Sequence, residues 1–170
     1  MPEKIEEVLS ELTSWYDELP GGTERPKLLS KLATLELCGW LEERFDSLAR
    51  ELAGSSGVDA EKSILERITK THGFDYTDHV RGLFLAIGGE ILVKRVESSL
   101  EVRHPGDLEQ LKSELRSLWL QRRQLAHISS VTVPGRQVSI NAPSWSQNRQ
   151  RIFAKLISKL EAEFRTALAP

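Results

Sequence analysis

Apolar residues recur every three or four positions along most of this chain, and clusters of Gly, Pro and Ser cut the pattern into segments. That spacing is the period of an α-helix with one buried face, so the chain is committed to a fold made by packing helices. The first segment, Pro2 to Leu19, puts Ile5, Val8, Leu9, Leu12, Trp15 and Leu19 on one face and stops at Pro20-Gly21-Gly22. The second opens near Pro26, a residue suited to the first helical position, and runs to about Ala53 before Gly54-Ser55-Ser56-Gly57. A short third runs from Asp59 to about Thr71, with Gly73 beyond its end. The fourth covers Thr77 to Leu100 and is expected to turn Val80, Leu83, Phe84, Ile87 and Ile91 inward. After His104-Pro105-Gly106, Asp107 can cap a fifth helix reaching about Ile128. The last opens at Pro143-Ser144 and runs to about Leu168, with Ile152, Phe153, Leu156, Leu160 and Phe164 on its apolar face.

Between the last two segments the period changes to two. Val131, Val133, Val138 and Ile140 alternate around Pro134-Gly135-Arg136-Gln137, the pattern of a short β-hairpin or extended arms. The expected fold is all-α: an up-and-down bundle of five to six helices with a hairpin or extended insertion over 129–143. At 170 residues this makes one domain, 1–170, in which an N-terminal helix, 1–19, packs on a core of 26–168.

Composition narrows the function. No apolar run reaches the ~18–20 residues of a membrane span. The N-terminal stretch from Met1 to Leu12 is acidic and amphipathic, unlike a secretory signal. A single cysteine, Cys38, excludes an intrachain disulfide and a multi-Cys zinc site. These features point to a soluble cytoplasmic protein with no membrane partner. The net charge of -2 is uneven: residues 1–102 carry 12 Lys/Arg against 20 Asp/Glu, and residues 103–151 carry 8 against 3. A basic third in an acidic protein can attract an anion locally, although overall acidity argues against strong nonspecific nucleic-acid binding.

The fifth segment concentrates the chemistry. Leu108, Leu111, Leu115, Leu118, Trp119, Leu125 and Ala126 define one apolar arc, and Arg122 falls near its middle. A permanent cation on such a seam is costly without a partner. Arg123 and His127, four apart, share the edge of the arc. Taken alone, Arg122 reads rather as a structural arginine paired with an acid, and His127 as a partner of the helix dipole.

Three segments together carry a resemblance: Leu35-Glu36-Leu37-Cys38-Gly39-Trp40-Leu41-Glu42, then Thr71-His72-Gly73-Phe74-Asp75, then Arg122-Arg123-Gln124-Leu125-Ala126-His127. The Arg-x4-His spacing from Arg122 to His127, near the end of the penultimate long helix, resembles the signature of the HEPN superfamily. The extended Ala142-Pro143-Ser144 before the last helix is similar to a small stand-alone bacterial subgroup of it. The resemblance spans about residues 28–168. It implies a metal-independent endoribonuclease, needing no cofactor, that acts as a homodimer with two Arg/His helices lining one cleft. Many members are toxins or antiviral defence effectors, so RNA and an antitoxin or defence-system protein are the implied partners. Arg123 departs from the family pattern, in which a small polar residue often follows the motif arginine; it either strengthens phosphate binding or marks a site that binds RNA, a nucleotide or a protein without cutting.

The residue types suit the chemistry. RNA carries its own nucleophile, the 2′-OH, so cleavage needs a base, an acid and cationic support for the extra charge on phosphorus. His127 titrates near neutral pH and can act as base or acid. Arg122 can hold two phosphate oxygens and stabilise that charge. The products expected are 2′,3′-cyclic phosphate and 5′-OH ends. Glu42, on a face with Leu35, Cys38, Gly39, Phe45, Ala49 and Leu52, is either the counter-ion of Arg122 or an exposed acid at the edge of a wide stripe. His72, Asp75 and His79 have ligand-like spacing, but Asp75 and Thr77 are good capping residues and local structure accounts for them better. No metal site is expected. Gly88-Gly89, inside the fourth helix, reads as a kink or close helix contact. Trp15, Trp40, Trp119 and Trp145 read as core or interface anchors, with Trp145 also able to stack on a base.

Overall fold

The structure, a computed structural model, describes residues 2–19, 24–54, 58–70, 73–126 and 140–169. Six α-helices are described: α1 (Pro2–Asp17), α2 (Arg25–Gly54), α3 (Val58–Lys70), α4 (Arg81–Arg103), α5 (Asp107–Ala126) and α6 (Pro143–Leu168), with one π-helical turn, Tyr76–Val80, leading into α4. The all-α class read from the apolar period is the observed one, and no strand occurs among the described residues. Of the expected hairpin, Val131, Val133 and Val138 lie outside the described residues, while Ile140 belongs to no strand.

The chain divides into two compact units, one made of residues 1–40 and 118–154, the other of 41–117 and 155–170. In the first unit the buried side chains include Ile5, Leu9 and Leu12 of α1, Ala33, Leu37 and Cys38 of α2, Leu118 and Leu125 of α5, and Phe153 of α6. Arg151 pairs with Glu6 at 3.0 Å. Trp15 departs from the expected buried face of α1 and is 52% exposed. On α2, Leu35 and Gly39 also fall on the outside, because the buried arc is centred on Ala33, Leu37 and Leu41 rather than on the stripe through Leu35.

In the second unit, Phe84 and Phe164 stack with ring centroids 4.3 Å apart. The buried Glu163 accepts hydrogen bonds from Ser99 Oγ (2.6 Å) and Arg103 Nη1 (3.3 Å). Such pairing is what keeps a buried carboxylate tolerable. Ion pairs Arg44–Glu161 and Lys159–Asp107 and the 2.8 Å pair of Arg165 with Glu51 tie further side chains together.

The fourth helix differs most from its expected shape. Gly89 has φ 69° and ψ −175°, a conformation open to glycine and strained for other residues. Its neighbour Gly88 is needed for a different reason: a Cβ there would lie 2.1 Å from Leu92 Cδ2. The break folds the helix back. Arg81 Nε reaches Glu97 Oε1 at 3.2 Å, although sixteen residues of straight helix would separate them by about 24 Å. The break also resets the period. Val80, Leu83, Phe84 and Ile87 are buried before it; after it Leu92, Val93, Val96 and Leu100 are buried, and Ile91, expected inward, is 77% exposed.

Candidate functional site

Helix α5 begins with acids, Asp107 and Glu109, and ends with a cation, Arg123, the arrangement that complements the helix dipole. Its arc buries Leu108, Leu111, Leu115, Leu118 and Leu125. Arg122, one turn after Leu118 and one before Leu125, is half-buried rather than enclosed. Its guanidinium carbon stands 5.5 Å from the centroid of the Trp119 ring. The cation thus rests on an aromatic face, a contact that partly offsets its removal from water. Arg123 beside it is exposed. His127 lies outside the described residues. Glu42 is half-buried on the stretch of α2 that belongs to the second unit, and neither Glu42 nor Arg122 is without an interaction partner.

A second pair of the same kind occurs on α6, again in the first unit. Arg149 lies 5.2 Å from the centroid of Trp145, and both side chains are half-buried. Sequence reading named Trp145 as a possible stacking residue but counted Arg149 only in the basic stretch. The i,i+4 spacing of the two is the signal that could have joined them. On the adjoining face of α6, Ser146 and Gln150 are buried, and neither Ser146 Oγ nor Gln150 Oε1 has a hydrogen-bond partner among the described residues.

The residues considered for a metal serve local structure. Asp75 Oδ1 accepts from the backbone N–H groups of Thr77 (3.1 Å) and Asp78 (3.0 Å), which caps the π-turn. Asp75 Oδ2 accepts from Arg116 at 3.2 Å, and Asp78 accepts from the same nitrogen. The His79 ring packs where a Gly73 side chain would otherwise be, 2.8 Å from the ideal Cβ position. His72 lies outside the described residues. No group of three or more His, Cys, Asp or Glu that could hold a metal ion occurs among the described residues.

Sequence reasoning also missed the polar cluster around Tyr76. This buried side chain donates its hydroxyl to Glu97 Oε1 at 3.0 Å, and Lys112 Nζ stands 5.6 Å over its ring. Burial first, and the adjacent Glu97 carboxylate second, push the phenol far above its ordinary value, so it stays protonated. Arg81 bridges Glu97 to Glu90, and its hydrogen bond holds the Glu90 carboxyl below its usual range. These groups satisfy one another and brace the folded-back α4. None of this is legible from spacing, because it depends on the break at Gly89.

No described helix is long and apolar enough to cross a membrane. No family model, no curated protein and no solved structure matches this chain.

Proposed function

We propose that this protein is a metal-independent endoribonuclease of a bacterial toxin or antiviral defence system, working in the cytoplasm as a homodimer. The observation that carries the reading is Arg122: a half-buried cation, held over Trp119 at the end of α5, five residues before His127. Stacking on the indole orients the guanidinium, whose planar fork matches the geometry of a phosphate. Arg122 supports the charge that develops on the pentacoordinate phosphorus, and His127 moves the proton of the attacking 2′-OH. In a dimer the second His127 protonates the leaving 5′ oxygen. Arg123 adds an exposed positive charge toward the backbone of the RNA, and Glu42 is assigned the supporting carboxylate. An antitoxin or another protein of the defence system is the proposed protein partner.

The test is cleavage of a mixed-sequence RNA by purified protein. Wild type cuts, while Arg122→Ala and His127→Ala lose at least ~10²-fold, the scale on which one general acid–base group acts. Glu42→Gln cuts more slowly than wild type and faster than Arg122→Ala. The exposed Arg123 favours a second reading, in which the same surface binds RNA, a nucleotide or a partner protein without cutting it. Under that reading wild type retains RNA on a filter, leaves it intact, and loses it on Arg123→Asn.

A further inference from the structure

Helix α2 exposes a stripe of large apolar side chains within the first unit. Leu28, Leu32 and Leu35 are 54%, 42% and 36% exposed. Gly39 continues the line, with nothing within 4 Å of the place a Cβ would take. At the α-helical period these four positions fall within about 60° of one another. Their spacings of four, three and four residues are those by which one helix receives another. Single exposed leucines are ordinary on protein surfaces, but three in register form a contiguous patch. The other side of the same stretch is buried through Ser30, Ala33, Thr34 and Leu37. All of these residues belong to the unit of 1–40 and 118–154, so the face is built by one unit alone.

Charge decides what the stripe can receive. Residues 25–35 carry three cations, Arg25, Lys27 and Lys31, and no acid. By helical angle Arg25 lies on one flank of the stripe, and Lys27 and Lys31 lie on the other. No acid stands in the first turn of α2, so the positive end of its dipole adds to these charges instead of being offset. Lys27 holds Glu24 at 2.9 Å, but both side chains are more than half exposed, and an ion pair in that setting is weak enough to exchange for another acid. A phosphate backbone would match the cations and leave the leucines in water. A purely apolar helix would match the leucines and leave the cations facing nothing. A second copy of the stretch brings one acid, Glu36, against the three cations. A surface that is apolar at the same spacing and acidic along both flanks meets every requirement.

We propose that residues 25–39 of α2 dock an acidic amphipathic helix of a partner protein. Apolar side chains of that helix pack between Leu28, Leu32 and Leu35, and one of them enters the space over Gly39. Asp or Glu on its two flanks meet Arg25 on one side and Lys27 and Lys31 on the other. As the place of the protein partner proposed above, the contact rests on that reading; as a surface, it holds whether or not RNA is cut.

The probes are two synthetic peptides of ~20 residues, long enough to hold a helix, with leucines at the same four-three-four spacing and either Glu or Lys along both flanks. Their fluorescence anisotropy is followed as the full chain is added at low salt. The Glu peptide is expected to saturate with dissociation in the range of about 10–100 µM, as for a small interface, and the Lys peptide to bind at least ~10-fold more weakly. Leu32→Glu combined with Leu35→Glu abolishes binding of the Glu peptide and leaves the circular dichroism spectrum unchanged, since both side chains are already exposed. Arg25→Glu combined with Lys27→Glu inverts the preference, so that the Lys peptide becomes the tighter binder, an outcome that loss of folding cannot produce. Arg122→Ala binds the Glu peptide as wild type does, so failure of docking and failure of cleavage are read separately. A Glu peptide still unbound at ~500 µM, well above the range of a weak interface, overturns the proposal. So do two peptides bound alike, or a preference that survives the charge reversal. Sedimentation and vesicle flotation test the other occupants. A dimer that the leucine variants dissociate assigns the face to a second copy, and binding to anionic vesicles that they abolish assigns it to a lipid surface; either result overturns the proposal.

Discussion

Tyr76 buries its ring and donates its hydroxyl to Glu97, and burial first and that carboxylate second make this group sensitive to alkaline pH. The folded phenol ionises far above 10, while the unfolded phenol ionises near its ordinary value of 10.0. Stability from this group is therefore complete below pH 10 and is lost as pH rises above it, when the unfolded state alone gives up the proton. In an alkaline spectrophotometric titration of the two-tyrosine protein, the Tyr76 signal at 295 nm appears only with unfolding. In Tyr76→Phe that delayed signal is absent. Ionisation of both tyrosines in a still-folded chain would contradict the assignment. Ser146 makes the opposite case. Its buried hydroxyl has no hydrogen-bond partner among the described residues, so Ser146→Ala removes a desolvated polar group within a helix. The expected change is a gain of about 1 kcal/mol, read as a higher midpoint in chemical unfolding. A loss of that size would show that the hydroxyl has a role.

At the scale of elements, the sequence announced each helix, and its end signals were good to a few residues. Pro143 opens α6 and Asp107 opens α5 as expected, because proline and aspartate act through the local backbone alone. The fourth segment shows where such reasoning stops. Gly88-Gly89 marked a kink, but a kink's direction is set by tertiary contacts, here Arg81 with Glu90 and Glu97 and Tyr76 with Glu97. Everything that depended on a continuous period through Gly89 shifted with it, Ile91 above all. Gly89→Ala forces a side chain into φ 69°, ψ −175°, and costs about 1–3 kcal/mol. Ile91→Lys, at a site read from sequence as core, costs less than about 0.5 kcal/mol because the side chain is already in solvent. Urea unfolding of the two variants measures both, and the reverse order would refute the break in α4. In α2 the stripe through Leu35 and Gly39 was visible, but apolar spacing cannot say whether a stripe faces the chain's own interior or another molecule.

For the whole molecule, the candidate site was legible in part. Arg122 stood out because a cation on an apolar arc violates the pattern around it, and the structure supplies Trp119 as the surface it rests on. Arg149 on Trp145 was passed over despite its i,i+4 spacing, since a charged residue on a polar-looking helix face breaks no rule. Both stacks belong to the unit of residues 1–40 and 118–154, and RNA binding is expected to draw on both. Arg149→Ala weakens RNA retention several-fold while leaving the cleavage chemistry of bound RNA intact, a split that single-turnover and binding assays resolve.

The ribonuclease reading turns on one chemical fact, that the RNA attacks itself. The direct measurement is cleavage in excess EDTA of an RNA against the same sequence carrying 2′-O-methyl groups throughout, with the ends of the products identified. Unmodified RNA is expected to be cut to 2′,3′-cyclic phosphate and 5′-OH ends, the methylated RNA to stay whole, and Arg122→Ala and His127→Ala to cut neither. Cleavage that appears only with added divalent metal, that leaves 5′-phosphate ends, or that persists on the methylated strand would contradict it.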